Sequence, residues 1–172
     1  MRKVSDEVFY ANIGIVKAQD DTISKLMAQA NANERKRSRL CAHHDQTDAL
    51  HEMLIVHTQH TYVRPHKHPR KSESFHVITG RLTVLIFDDW GAVVETIPMG
   101  PYGSGAAFYY RLSEPRFHTL LISTEIAAFH EVTNGPFDRS ETIFAPWSPA
   151  EDDSTGQSAF LTRLTTLCDP QK

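Results

Sequence analysis

Between His51 and Thr133 the apolar residues come in short runs rich in Val, Ile, Leu, Phe and Tyr, separated by Gly, Pro, Asp and Ser. Runs of this length and residue type predict strands. They are expected at 51–58, 61–64, 74–79, 82–88, 92–98, 106–112, 117–123 and 126–133. Asp88-Asp89-Trp90-Gly91 reads as a hairpin turn, with Gly91 free to take positive φ. Many short strands at spacings near ten residues point to an all-β sandwich or barrel. A parallel α/β sheet would need strand–helix alternation, and the pattern has none.

Helical periodicity flanks this region. Ile23, Leu26, Met27 and Ala30 recur at i, i+3, i+4 and i+7, which predicts a helix over 22–32 capped by Asp21 or Thr22. Phe160, Leu161, Leu164 and Leu167 predict a last helix packed on the β-region or on a partner chain. Between helix and strands, Glu34-Arg35-Lys36-Arg37-Ser38-Arg39 places five charges in six residues. A solvated connector is the expected reading, and a phosphate-binding patch is the other. Pro146, Pro149 and Glu151-Asp152-Asp153 mark an exposed crossing segment. One structural domain is expected, with three parts: an N-terminal strand, helix and connector (1–40), a β-barrel (41–145) and a C-terminal extension (146–172).

Composition narrows the function. The 172 residues carry 18 basic and 21 acidic side chains, a net charge of −3 that argues against nucleic acid as partner. Apolar runs are only a few residues long, Val84-Leu85-Ile86-Phe87 among them, against the roughly 20 of a membrane helix. The stretch Met1–Glu7 turns acidic before any apolar run, so no secretory signal is expected. Two distant cysteines, Cys41 and Cys168, make no disulfide framework and suggest reduced thiols in the cytoplasm. Cys41-Ala42-His43-His44 lacks the second cysteine pair of a structural zinc site. Ten histidines are the unusual number.

Their placement carries the chemistry. On a strand, His66 and His68 point the same way about 7 Å apart, close enough for both imidazoles to reach one metal. Pro69-Arg70-Lys71-Ser72 makes a turn, so Glu73 on the returning strand can add a carboxylate. His118 opens an apolar strand whose inward face it shares with Leu120 and Ile122, and it is the expected fourth ligand. Nitrogen and carboxylate ligands suit Fe, Mn, Co, Ni, Cu or Zn, and the set leaves room for water or substrate. Parity lets Tyr62 offer a phenol at the pocket rim, a packing aromatic with an exposed hydroxyl being the other reading. It places Phe75 at the pocket, favours Glu131 over His130 as a wall residue, and turns His76 away. His57 and His60 flank a turn and are expected at the surface.

The spacing H-x-H-x4-E-x6-G over His66, His68, Glu73 and Gly80, followed later by His118, resembles the two metal motifs of the cupin superfamily. Tyr62–Pro69, Val84–Asp88, Phe117-His118-Thr119 and Glu131–Phe137 together look like the WbuC-type cupin-fold metalloproteins. Arg39 with His43 or His44, and Ala145–Pro149, fit the same resemblance, which spans roughly residues 22–150. His60 stands where the first cupin motif usually has Gly, and Ile122 where the second usually has Asn. The resemblance implies a jelly-roll barrel with one divalent metal in its mouth, in a bacterial family whose genes lie among O-antigen clusters.

Two functions follow as expectations. One is a metal-dependent enzyme, of isomerase, epimerase or oxygenase type, acting on a small polar molecule such as a sugar or nucleotide-sugar. The other is a non-catalytic, metal-dependent binding or sensor module, since a fold does not dictate a function. A homodimer is the default assembly.

Overall fold

The computed structural model describes residues 1–12 and 14–168. Its strands are β1 (Arg2–Lys3), β2 (Val8–Tyr10), β3 (Arg37–Cys41), β4 (Leu50–Thr58), β5 (His66–Lys67), β6 (Glu73–Thr79), β7 (Leu82–Phe87), β8 (Val93–Met99), β9 (Tyr109–Leu112), β10 (Phe117–Ile122), β11 (Ile126–Asn134) and β12 (Ile143–Phe144). Helix α1 spans Asp20–Ala32 and α2 spans Ser154–Cys168. One sheet has seven strands in the order β1-β2-β3-β4-β11-β6-β9, the other five in the order β12-β5-β10-β7-β8. The strands pair antiparallel except β2 beside β3.

Alternation along the strands sorts the side chains into layers. Ile55, Phe75, Val77, Val84, Leu120 and Phe129 meet between the two sheets. On the outer face of the larger sheet, Leu26 and Ala30 of α1 pack against Leu40, Val56 and Ala128. On the outer face of the smaller sheet, Phe160 and Leu164 of α2 cover Leu85, Phe87 and Leu121. Every residue of β7 is therefore buried, which is why its sequence LTVLIF is almost continuously apolar rather than alternating. Each fully buried large side chain contributes about 1.5–3 kcal/mol. Gly80 turns β6 into β7 at φ 78°, where a Cβ would lie 2.2 Å from the Ile126 carbonyl oxygen.

The structure corrects several sequence expectations. The expected barrel is a sandwich of two sheets with no closed sheet. The sheets touch at one corner, where Met99 at the end of β8 bridges Ala107 just before β9. The strand expected at 61–64 is absent, and pairing starts at His66 instead. Pro65 has no N–H to give a ladder, and the Val63 carbonyl accepts a bond from the Thr119 hydroxyl. The strand expected from 106 begins at Tyr109. Helix α1 starts two residues early, capped by Gln19 and Thr22 in a reciprocal pair of bonds, so Asp21 is inside the helix. The charged run is no free connector, because Arg37, Ser38 and Arg39 belong to β3. His57 is buried, its ring edge-on to Phe129 at 5.3 Å, whereas His60 is exposed. Leu167, expected to pack, is exposed on α2. Residues 169–172 of the expected C-terminal extension lie outside the described residues. No helix among the described residues is long and apolar enough to cross a membrane.

Candidate metal centre

The cross-strand pair His118↔His66 sets the geometry, with β10 lying beside β5. His68 follows one residue after β5, and Glu73 opens β6 in the opposite sheet. One ligand atom from each of His66, His68, Glu73 and His118 lies within 4.8 Å of the other three. The ring centroids are 4.5 Å apart for His66–His118, 5.0 Å for His66–His68 and 5.9 Å for His68–His118. Glu73 and His118 are buried, and the other two are half-buried.

Each imidazole is held from behind. Nδ1 of His66 lies 2.8 Å from the Arg64 carbonyl oxygen, Nδ1 of His68 2.9 Å from that of Glu141, and Nδ1 of His118 3.0 Å from that of Arg116. A carbonyl only accepts, so Nδ1 carries the hydrogen in all three rings and donates it. Nε2 is then left toward the cluster, with its lone pair available. Glu141 is itself held by Arg70, which donates from Nε at 2.9 Å.

Two buried polar atoms in this cluster lack a hydrogen-bond partner among the described residues, His118 Nε2 and Glu73 Oε1. They are 2.7 Å apart, but not aligned as a hydrogen bond. Glu73 Oε2 lies 3.7 Å from His68 Nε2. Three imidazole lone pairs and a carboxylate converging in a buried spot, two of their atoms orphaned, fit a divalent metal ion. The set is borderline in softness and does not choose among the first-row metals.

The charges in the cluster are strongly coupled. Burial pushes the Glu73 carboxyl up, but the facing histidines, His118 foremost, outweigh it and hold the group below the usual carboxylate range. Burial alone would lower the His118 pKa, and the Glu73 carboxylate reverses the sign and raises it. His66 is lowered to about 3 by burial and then by the charge of His118. Glu131 is pushed up by burial and by the negative charge of Glu73.

The cluster opens into a cavity of about 280 Å³ between the sheets. Phe75 and Glu131 line it as parity expected, and His76 and His130 lie paired on the opposite face of their strands. Tyr62 does not line it. With residues 61–65 off the ladder, its ring turns edge-on to Phe160 of α2 and its hydroxyl donates to the Pro149 carbonyl at 2.8 Å. Val63 lines the cavity instead. The far wall was not anticipated: Tyr10, Arg37, Arg39 and Cys41 come from β2 and β3. Alternation of Arg37, Arg39 and Cys41 with Ser38 and Leu40 was the available signal. His43 and His51 stack at 4.0 Å on the same side.

A protein-family model described as "Domain of unknown function (DUF6016)" matches residues 18–99. No curated protein matches the chain. Among solved structures, the DMSP lyase DddQ from Ruegeria pomeroyi DSS-3 aligns with a TM-score of 0.50 and 12% identity, over 66% of this chain and 54% of that one. The Cnp3 cupin domain of Schizosaccharomyces pombe aligns at 0.45 and 9% identity, over 59% of this chain and 66% of its own. KdgF from Halomonas sp. aligns at 0.46 and 13% identity, over 60% of this chain and 82% of its own. The chain thus spans less than two thirds of the length of the first two. At 12% identity the likeness to DddQ is one of fold.

Proposed function

We propose that this chain is a metal-binding cupin of the WbuC type, and that it acts as a metal-dependent enzyme on a small polar molecule. The observation that carries this reading is the common orientation of the three histidines. Each donates Nδ1–H to a main-chain carbonyl and turns Nε2 toward Glu73 at one end of an open cavity. Backbone carbonyls hold a ring more rigidly than side chains do, so the site is preorganised before any ion arrives.

A divalent ion held by His66, His68, Glu73 and His118 would polarise a carbonyl or hydroxyl oxygen of the substrate. Glu131 stands at the wall of the same cavity, where burial raises its carboxyl pKa, so it is placed to hold or pass a proton at its carboxyl oxygen. Phe75, Val63 and Phe129 exclude water from the inner wall, which strengthens every charge contact inside. The cavity suits a molecule of sugar size better than a polymer.

The test is metal analysis of protein purified without added nickel, with a thermal-shift screen of sugars and sugar nucleotides. One bound divalent ion per chain, lost in His66→Ala, and a ligand shift that needs the ion are expected. A protein that binds no divalent ion at micromolar concentration overturns the reading. Glu131→Gln separates the enzyme from the sensor: turnover falls by about 100-fold or more while ligand binding persists. A sensor would show binding and no turnover in either form.

A further inference from the structure

The charged run at 34–39 has a role that the metal cluster leaves unassigned. Ser38 and Leu40 of β3 turn to α1, where the Ser38 hydroxyl donates to the Leu26 carbonyl at 2.6 Å and Leu40 joins the apolar contact. Arg37 and Arg39 alternate with them and both line the cavity, Arg37 half-buried and Arg39 exposed to solvent. Arg35 lies beside them, and all three guanidinium charges act on buried His57, whose pKa burial first, and then these charges, bring down to about 3. This end of the cavity is therefore cationic, and its histidine is neutral.

The counter-charges are unevenly shared. Glu7 pairs with Arg37 at 2.9 Å and with Arg35 at 3.6 Å, and Glu151 also pairs with Arg35. Arg39 has no side-chain ion pair among the described residues. Lys71 lines the cavity from another side, its ammonium donating to the Pro136 carbonyl at 2.9 Å. The strand order β3-β4-β11-β6 puts Arg39 and Glu73 on strands three spacings apart, about 14 Å at some 4.8 Å per strand. An arginine side chain covers about half of that span, which leaves room for a molecule of several heavy atoms.

We propose that Arg39 is an anion anchor, and that the ligand of this cavity is a small oxyanion, carrying a carboxylate or phosphate group at the end opposite the metal cluster. A planar guanidinium presents two parallel N–H donors that match either group. The placement of the ligand's other end rests on the metal-binding reading above, whereas the Arg39 contact does not.

Calorimetric titration of metal-free protein tests the contact with three probes: inorganic phosphate, malonate and neutral erythritol. Wild type should bind at least one of the two anions and not erythritol, and the better anion names the group. Arg39→Gln should weaken that anion by about tenfold or more, Arg39→Lys by less, because the charge stays and the fork is lost. Cobalt titration of Arg39→Gln should show metal affinity within about twofold of wild type, which a merely unfolded variant would not. Equal anion affinity in wild type and Arg39→Gln, or binding of neither anion at 10 mM, overturns the proposal. If Arg39→Gln does not unfold cooperatively, Arg39→Lys decides, and an affinity equal to wild type overturns it. Metal binding without anion binding would leave the metal reading standing and sink this one. Arg39-dependent anion binding with no metal uptake would do the reverse.

Discussion

The two ends of the cavity are built on different principles. At the histidine end every imidazole is fixed through its Nδ1 by a main-chain carbonyl, from Arg64, Glu141 or Arg116. At the arginine end the fixing groups are carboxylates, Glu7 and Glu151, on side chains that are part exposed. Backbone acceptors cost no side-chain entropy and do not titrate, whereas exposed ion pairs are screened and individually worth about 0–1 kcal/mol. The first end suits an ion that demands geometry. The second suits a ligand group that tolerates adjustment.

The largest break in this contrast should come from His118→Ala. It deletes a ligand shared between the sheets, and divalent-metal affinity by titration should fall by more than about 100-fold, beyond the 10–100-fold typical of outer-shell changes. An affinity within tenfold of wild type would mean that the ion sits elsewhere.

Glu141→Ala sharpens the comparison, since it removes the carboxylate that Arg70 grips but leaves the carbonyl that holds His68. Metal affinity should fall by about tenfold through loosening of the short 3₁₀ turn Arg139–Glu141. Unchanged affinity would show that the carbonyl alone suffices.

Acid should act through the arginine end. His57 has a folded pKa of about 3, below its unfolded value of 6.5, so the unfolded chain binds the proton more readily. His57 thus contributes no pH dependence above about 6.5, and stability falls as pH drops from there toward 3, with a slope of up to about 1.4 kcal/mol per pH unit. Denaturant melts of wild type and His57→Gln at pH 7.5, 6.0 and 5.0 check this, and the variant's curve should be flatter. Parallel curves would contradict the buried, neutral histidine.

Tyr62→Phe should have the smallest effect. It removes one hydrogen bond, to the Pro149 carbonyl, at a cost of about 0.5–1.5 kcal/mol, with metal affinity unchanged. A loss of metal or ligand affinity would return Tyr62 to the cavity.

The four residues of the histidine end were legible because they are close in sequence or sit on strongly patterned strands. His66 and His68 share strand parity, and Glu73 returns after a proline turn, so short-range geometry brings three of them together. His118 needed the inward face of an apolar strand, and β10 supplies it beside β5. Tyr62 takes the packing role rather than the rim role because parity holds only along a continuous ladder, and the chain joins the ladder only after Pro65. His57 was misread because its burial comes from β3 and Phe129, both distant in sequence.

Local pattern by itself determined the β-rich class, the two helices, most strands to within a few residues, and the spacing of the candidate ligands, since these depend on periodicities of two and 3.6 residues. Tertiary structure alone decided that two sheets remain open instead of closing, because edge pairing joins strands far apart in the chain and stops at one corner. It also decided that a charged run is a strand. Six polar-looking residues at 34–39 carry little apolar alternation of their own, and only the neighbouring β4 and the cover of α1 make Arg37–Cys41 extended, with Arg39 turned into the cavity.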